Sequence, residues 1–292
     1  MAPPDDPDRD PDLDPDLDAD RDAAPPPPPR RRRFRRIGTL SFNRMMPNLV
    51  TLLAMCAGLT AIRYALNEQW ERAVVALIIA AFLDSIDGRV ARLLRSTSKF
   101  GEELDSLADA VSFGVAPAMM VYLWAMHNAG SIGWALCLLH AVCCVLRLAR
   151  FNAMLGQPDL PPWAHSYFTG VPAPGGAGLA VLPMIASFEV APGFFGHPVV
   201  VGGFLLVSSF LMVSRVPTYA AKNFRLKPQW VVPFMLFVGV MAAFMVTDPW
   251  LTWTAIGVTY LASIPVSWSS YRRLAARDAG LAPPPPDIAK AR

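Results

Sequence analysis

Cysteine and histidine are scarce, and the few present are poorly placed for chemistry of their own. The four cysteines, Cys56, Cys137, Cys143 and Cys144, all sit inside apolar runs. They show neither zinc-site spacing nor the framework of a disulfide-stapled domain, so they read as small packing groups. Of the four histidines, only His140 falls in the middle of an apolar run and only His165 in a long connection. Both read as hydrogen-bonding groups rather than substrate ligands. Charge is also thin, with Asp, Glu, Lys and Arg making up 17% of the chain against 53% hydrophobic residues. That balance argues against an ordinary soluble surface. The opening MAPPDDPDRDPDLDPDLDADRD is the reverse of a cationic, apolar secretion signal, and none is expected. No internal repeat is visible, which removes the symmetry-related halves common in transporters.

What is present instead is a series of apolar runs near the ~20 residues that cross a hydrocarbon core. About eight spans are expected, near 47–66, 72–91, 102–126, 131–151, 173–190, 198–214, 230–246 and 250–269. The fold class is therefore an all-α polytopic membrane helix bundle, with the membrane domain at 37–274. Residues 1–36 form an acidic, proline-rich tail ending in the cluster RRRRFRR, and 275–292 form a second proline-rich tail. Both tails are too polar and too proline-rich to bury a core, so disorder is expected. The arginine cluster lies next to the first span, which favours contact with anionic headgroups over a nucleic-acid arm.

Loop charges set the orientation. Arg89, Arg92, Arg95, Lys99, Arg147, Arg150, Arg215, Lys222, Arg225, Lys227, Arg272 and Arg273 fall on one side. Glu68, Glu71, Glu189 and Asp248 fall on the other, with Arg72 as the loop cation there. Positive residues stay on the cytoplasmic side, so both termini are expected inside.

The densest signal is the stretch DSIDGRVARLLRSTSKFGEELDSLAD, residues 84–109. Asp84 and Asp87 are three apart, and Asp105 and Asp109 four apart, so on helices each pair shares a face. Carboxylates at membrane depth are costly unless they face a bundle interior and meet a cation. Two such pairs supply hard oxygen ligands of the kind Mg²⁺ or Mn²⁺ prefers. Simple pairing with nearby arginines would account for one acid but poorly for four. Gly88 and Ala91 leave a shallow helix face, and Arg92 could bind phosphate oxygens.

The pattern Asp84-x2-Asp87-Gly88-x2-Ala91-Arg92-x8-Gly101-x3-Asp105-x3-Asp109 resembles the signature of the CDP-alcohol phosphatidyltransferases, with every fixed position filled. The resemblance implies two divalent ions, Mg²⁺ or Mn²⁺, held by Asp84, Asp87, Asp105 and Asp109. It also implies a CDP-linked lipid whose β-phosphorus is attacked by an alcohol as CMP leaves, with Asp109 as the base. Gly88, Ala91 and Arg92 would line the CDP pocket. Pro47, Asn48 and Thr51 resemble the family's Pro-Asn-x-x-Thr element, which approaches the nucleotide. Family members are commonly homodimers.

The flanking segments 98–118, RLARFN (147–152), FTGVPAPGGA (168–177) and LMVSRVPTY (211–219) resemble the membrane-integral phosphatidylserine synthases. Gly175 and Gly176 depart from the alanine-like residues expected there. That subgroup implies CDP-diacylglycerol and L-serine as substrates; the loop charges put the site at the cytoplasmic face, expected to be that of a bacterial inner membrane, and no nucleic-acid partner is expected. Glycerol 3-phosphate, an inositol compound or choline are the alternative acceptors. Arg147 and Arg150 are candidates to grip a serine carboxylate, or equally are positive-inside anchors. A prenyltransferase also uses aspartate pairs, but the Gly88, Ala91, Arg92 and Gly101 pattern argues against it.

Overall fold

A computed structural model describes residues 42–93, 98–154, 167–214, 216–219 and 228–281. The expected acidic tail, the arginine cluster, the C-terminal prolines and the loop carrying His165 lie outside the described residues. Helices α1 (Phe42–Leu66), α2 (Trp70–Leu93) and α3 (Lys99–Asp109) come first. A π-helical turn (Ala110–Val115) then leads into α4 (Ala116–Trp124), and α5 (Gly130–Met154) follows. After these come α6 (Ala173–Ser187), the short α7 (Pro192–Phe195), α8 (Pro198–Val213), α9 (Val231–Thr247) and α10 (Pro249–Leu281). A helix thus occupies each stretch expected to span. Helix α10 runs beyond 274, where the sequence suggests that the domain ends, because RRLAARDAGL is rich in helix formers.

Met46–Leu66, Lys99–Trp124 and Met126–Ala153 are long and apolar enough to cross a bilayer, and three further apolar helices are shorter. The outer surface is itself apolar: Phe82, Val199, Phe210 and Val232 are among the large hydrophobic side chains that are mostly exposed. No side chain of α9 is buried. Such a surface suits lipid rather than water, and the chain is an integral membrane protein.

Small residues set the internal spacing. Ala61 and Ala65 on α1 face Ala73, Ala76 and Ala80 on α2, all buried, so the two backbones approach closely. Larger groups then fill the centre, with Phe113, Met120, Val121, Met184, Leu205 and Met212 in one cluster.

One addition to the expected all-α architecture is an antiparallel ladder of β1 (Tyr167–Thr169) with β2 (Pro217–Tyr219). Phe168 pairs with Thr218, which joins the FTGVPAPGGA and LMVSRVPTY segments. Gly170 ends β1 with φ +81°, and a Cβ there would lie 2.9 Å from the carbonyls of Met212 and Ser214. Only glycine suits both that conformation and that contact.

The π-helical turn has a local cause. Pro117 has no N–H to return to the Phe113 carbonyl four residues earlier, so the regular helical ladder cannot continue there. His140, fully buried on α5, places Nε2 3.3 Å from that carbonyl. Its Nδ1 lies 3.4 Å from Ser208 Oγ, and the Ser208 hydroxyl donates to the Gly176 carbonyl at 2.7 Å. A buried polar chain therefore runs from the turn after Asp109 through α5 and α8 to α6. Replacing His140 with Leu is expected to cost about 1 kcal/mol, lowering the midpoint of thermal unfolding in detergent by roughly 2–4 °C. An unchanged midpoint would show that the chain carries no stability.

Candidate metal and substrate site

Asp84 and Asp87 project from the last turns of α2, and Asp105 and Asp109 from α3. Ser98 caps α3, its hydroxyl accepting from Gly101 N at 3.0 Å. A Cβ on Gly101 would come 2.9 Å from Asn48 Oδ1, so this glycine lets the start of α1 close on the start of α3. Gly88 differs, because a Cβ there would meet nothing within 4 Å. The helix face beside the acids is open at that point. Gly58 provides a third close approach, since a Cβ would fall 2.7 Å from Ser112 Oγ, just past Asp109.

Ligand atoms of Asp84, Asp105 and Asp109 all lie within 4.8 Å of one another. The carboxyl groups of Asp84 and Asp109 are within hydrogen-bonding reach. Asp105 Oδ1 is buried without a hydrogen-bond partner. Three hard oxygen donors around one point, one of them unsatisfied, fit a divalent cation well. Asp87 stands beside this triad, 5% exposed, and its Oδ2 accepts from the Thr51 hydroxyl at 2.8 Å. The Thr51 hydroxyl also lies 3.1 Å from the Pro47 carbonyl, a second acceptor for its single hydrogen, and it is Thr51 that reaches Asp87 from α1. The Pro-Asn-x-x-Thr element thus touches the acids and α3 through its own side chains.

The two candidate arginines separate. Arg147 on α5 lies within electrostatic range of Asp84 and Asp109, and its Nε is buried without a partner. Arg150, one turn further on, donates from Nη1 to the Val213 carbonyl at 3.2 Å, at the end of α8. A cation there complements the helix C-terminus. The side chains of Ala91 and Arg92 lie outside the described residues.

Sequence reasoning missed several supports. Asn152 Nδ2 donates to Ser106 Oγ at 2.9 Å, tying the end of α5 to the turn between Asp105 and Asp109. In RLARFN the sequence points to the arginines as acceptor candidates, whereas the asparagine makes this contact. Tyr260 on α10 has a buried and unpartnered hydroxyl. It lies far along the chain from any acid, so spacing gives no signal for it.

The family model described as CDP-alcohol phosphatidyltransferase matches residues 44–213, and that described as CDP-alcohol phosphatidyltransferase 2 matches residues 229–265. The chain belongs to the CDP-alcohol phosphatidyltransferase family and is an enzyme of that type. It is 40% identical over 234 residues to the CDP-diacylglycerol–serine O-phosphatidyltransferase of Mycobacterium leprae, covering 80% of this chain and 77% of the relative. The protein of that name from Helicobacter pylori strain J99 is 35% identical over 205 residues, covering 70% and 83% respectively. An archaetidylserine synthase of Methanothermobacter thermautotrophicus is 32% identical over 174 residues, covering 59% and 68%.

Thr51→Val keeps the shape of the side chain and removes the hydroxyl that orients Asp87. Partners that orient metal-ligating groups typically matter ~10–100-fold, and CMP release by the purified variant is expected to fall by that much. Thr51→Ser should restore most of it. Equal loss in both variants would assign Thr51 to packing.

Proposed function

We propose that the protein transfers a phosphatidyl group from CDP-diacylglycerol to L-serine, giving phosphatidylserine and CMP. The observation that carries this reading is the convergence of Asp84, Asp105 and Asp109 within 4.8 Å, with Arg147, whose Nε is unpartnered, within electrostatic range of Asp84 and Asp109. Serine in the names of the relatives supports the choice of acceptor over glycerol 3-phosphate, an inositol compound or choline.

Asp84, Asp87, Asp105 and Asp109 would hold two divalent ions, Mg²⁺ or Mn²⁺. When bound, such ions offset the diphosphate charge and favour departure of CMP. Asp109 takes the proton of the serine hydroxyl as its oxygen bonds to the β-phosphorus. The bond from that phosphorus to the CMP oxygen breaks, and CMP leaves with the electron pair. Arg147 holds the serine carboxylate. The contact of Arg150 with Val213 supports a capping role for it, with the acceptor role resting on Arg147. Gly88, with open space over its helix face, and Ala91 and Arg92 beside it border the nucleotide, while Asn48 and Thr51 shape that border through Gly101 and Asp87. A groove of about 610 Å³ between α2, α6 and α10, lined by Leu77, Phe82, Leu179, Leu182 and Ile256, offers apolar surface to the acyl chains.

The reading includes eight spans, both termini in the cytoplasm and the site facing it, supported by the one-sided distribution of loop arginines and lysines. It includes a bacterial inner membrane, contact of the N-terminal arginines with anionic lipid, domain limits near 37 and 274, and a homodimer.

CMP release by purified protein in detergent, with CDP-diacylglycerol and Mg²⁺, tests the acceptor. Release is expected with L-serine and not with glycerol 3-phosphate, inositol, inositol phosphate or choline. Release with another alcohol alone would reassign the acceptor. Asp105→Asn and Asp109→Asn are each expected to lower the rate at least ~10³-fold while the protein still inserts, since both acids touch the reacting centre. Substantial turnover by either variant would remove the metal-site argument.

A further inference from the structure

Tyr260 projects from α10, the last of the described helices, far along the chain from the acidic stretch. Its ring borders the apolar groove, but its hydroxyl oxygen is buried and has no hydrogen-bond partner. The Arg147 Nε is in the same condition, and the charge of Arg147 lies within electrostatic range of the Tyr260 hydroxyl as well as of Asp84 and Asp109. Two buried donors without acceptors, one of them on a residue bordering the groove, leave the desolvation of both uncompensated. An oxygen acceptor arriving with a ligand would satisfy them together.

Gly175 makes the arrangement possible. A Cβ at this position would stand 3.0 Å from Tyr260 Oη, 3.2 Å from Val171 Cγ1 and 3.4 Å from Pro172 Cγ. Alanine there would press on the tyrosine hydroxyl. The glycine that departs from the expected alanine-like residue thus coincides with the space Tyr260 occupies.

We propose that Tyr260 and Arg147 jointly receive the carboxylate of the acceptor, so that Tyr260 is a substrate-contacting residue that selects for an amino-acid alcohol. This rests on the serine reading given above. In serine the hydroxyl and the carboxylate are separated by only two carbons, so the carboxylate must be held close to the base. Arg147, within range of Asp109, meets that requirement. A phosphate oxygen of the CDP-lipid shares the same acceptor chemistry and is the alternative source.

The test uses the full chain in detergent with CDP-diacylglycerol and Mg²⁺. Tyr260→Phe keeps the ring in the groove and removes the hydroxyl. The expected result is a rise of about 10-fold or more in KM for serine, the scale of a lost hydrogen bond to a charged group. The kcat and the KM for CDP-diacylglycerol should stay within about twofold, since neither depends on that bond. Gly175→Ala is expected to raise the serine KM in the wild-type background and to add nothing in Tyr260→Phe, because both changes act on one contact. An unchanged serine KM in Tyr260→Phe, with serine turnover by the wild type intact, would overturn the role of Tyr260 and leave the serine reading standing. A rise in the KM for CDP-diacylglycerol instead would assign the hydroxyl to the lipid phosphate and overturn the proposal. Absence of serine turnover by the wild type would overturn the serine reading and this proposal with it.

Discussion

Mutual repulsion among carboxylates governs how this chain can be built. Bringing Asp84, Asp105 and Asp109 within 4.8 Å of one another inside an apolar bundle is unfavourable without a cation to share. The surrounding contacts hold the acids in place against that repulsion. Thr51 takes hold of Asp87 from α1, Asn48 closes on Gly101, and Asn152 ties Ser106 to α5. On the proposed reading, a cation and a diphosphate would bind a site already assembled, which is how preorganised sites gain affinity and rate.

The same economy is visible in the outer parts. Arg150 donates to the last carbonyl of α8, that of Val213, and Glu189 accepts from Leu251 N at 2.9 Å at the start of α10. Each charge lies where the helix dipole favours it. Charged residues are few in this chain, and these two do local structural work at helix ends.

Much of the site was legible because its spacing is local. Asp84 with Asp87, and Asp105 with Asp109, declare themselves through helical periodicity. The positions of the helices followed from apolar runs of sufficient length. What stayed hidden depends on contacts between residues far apart in the chain. Nothing in FTGVPAPGGA or LMVSRVPTY alone says that Phe168 pairs with Thr218. Two arginines one turn apart look alike in sequence, yet Arg147 turns to the acids and Arg150 to Val213. Tyr260 and Gly175 meet only because α10 packs on α6. The glycines were legible as small residues but not as partners of particular atoms.

The π-helical turn after Asp109 carries an evolutionary consequence. Pro117 withholds a donor from the Phe113 carbonyl, and His140 on another helix supplies one. A chain that exchanged the proline for a residue with an N–H would release the histidine from that duty. One that lost the histidine first would leave the carbonyl short of a donor. The two positions are therefore coupled, and the order of change matters: drift away from this arrangement is easier through Pro117 than through His140.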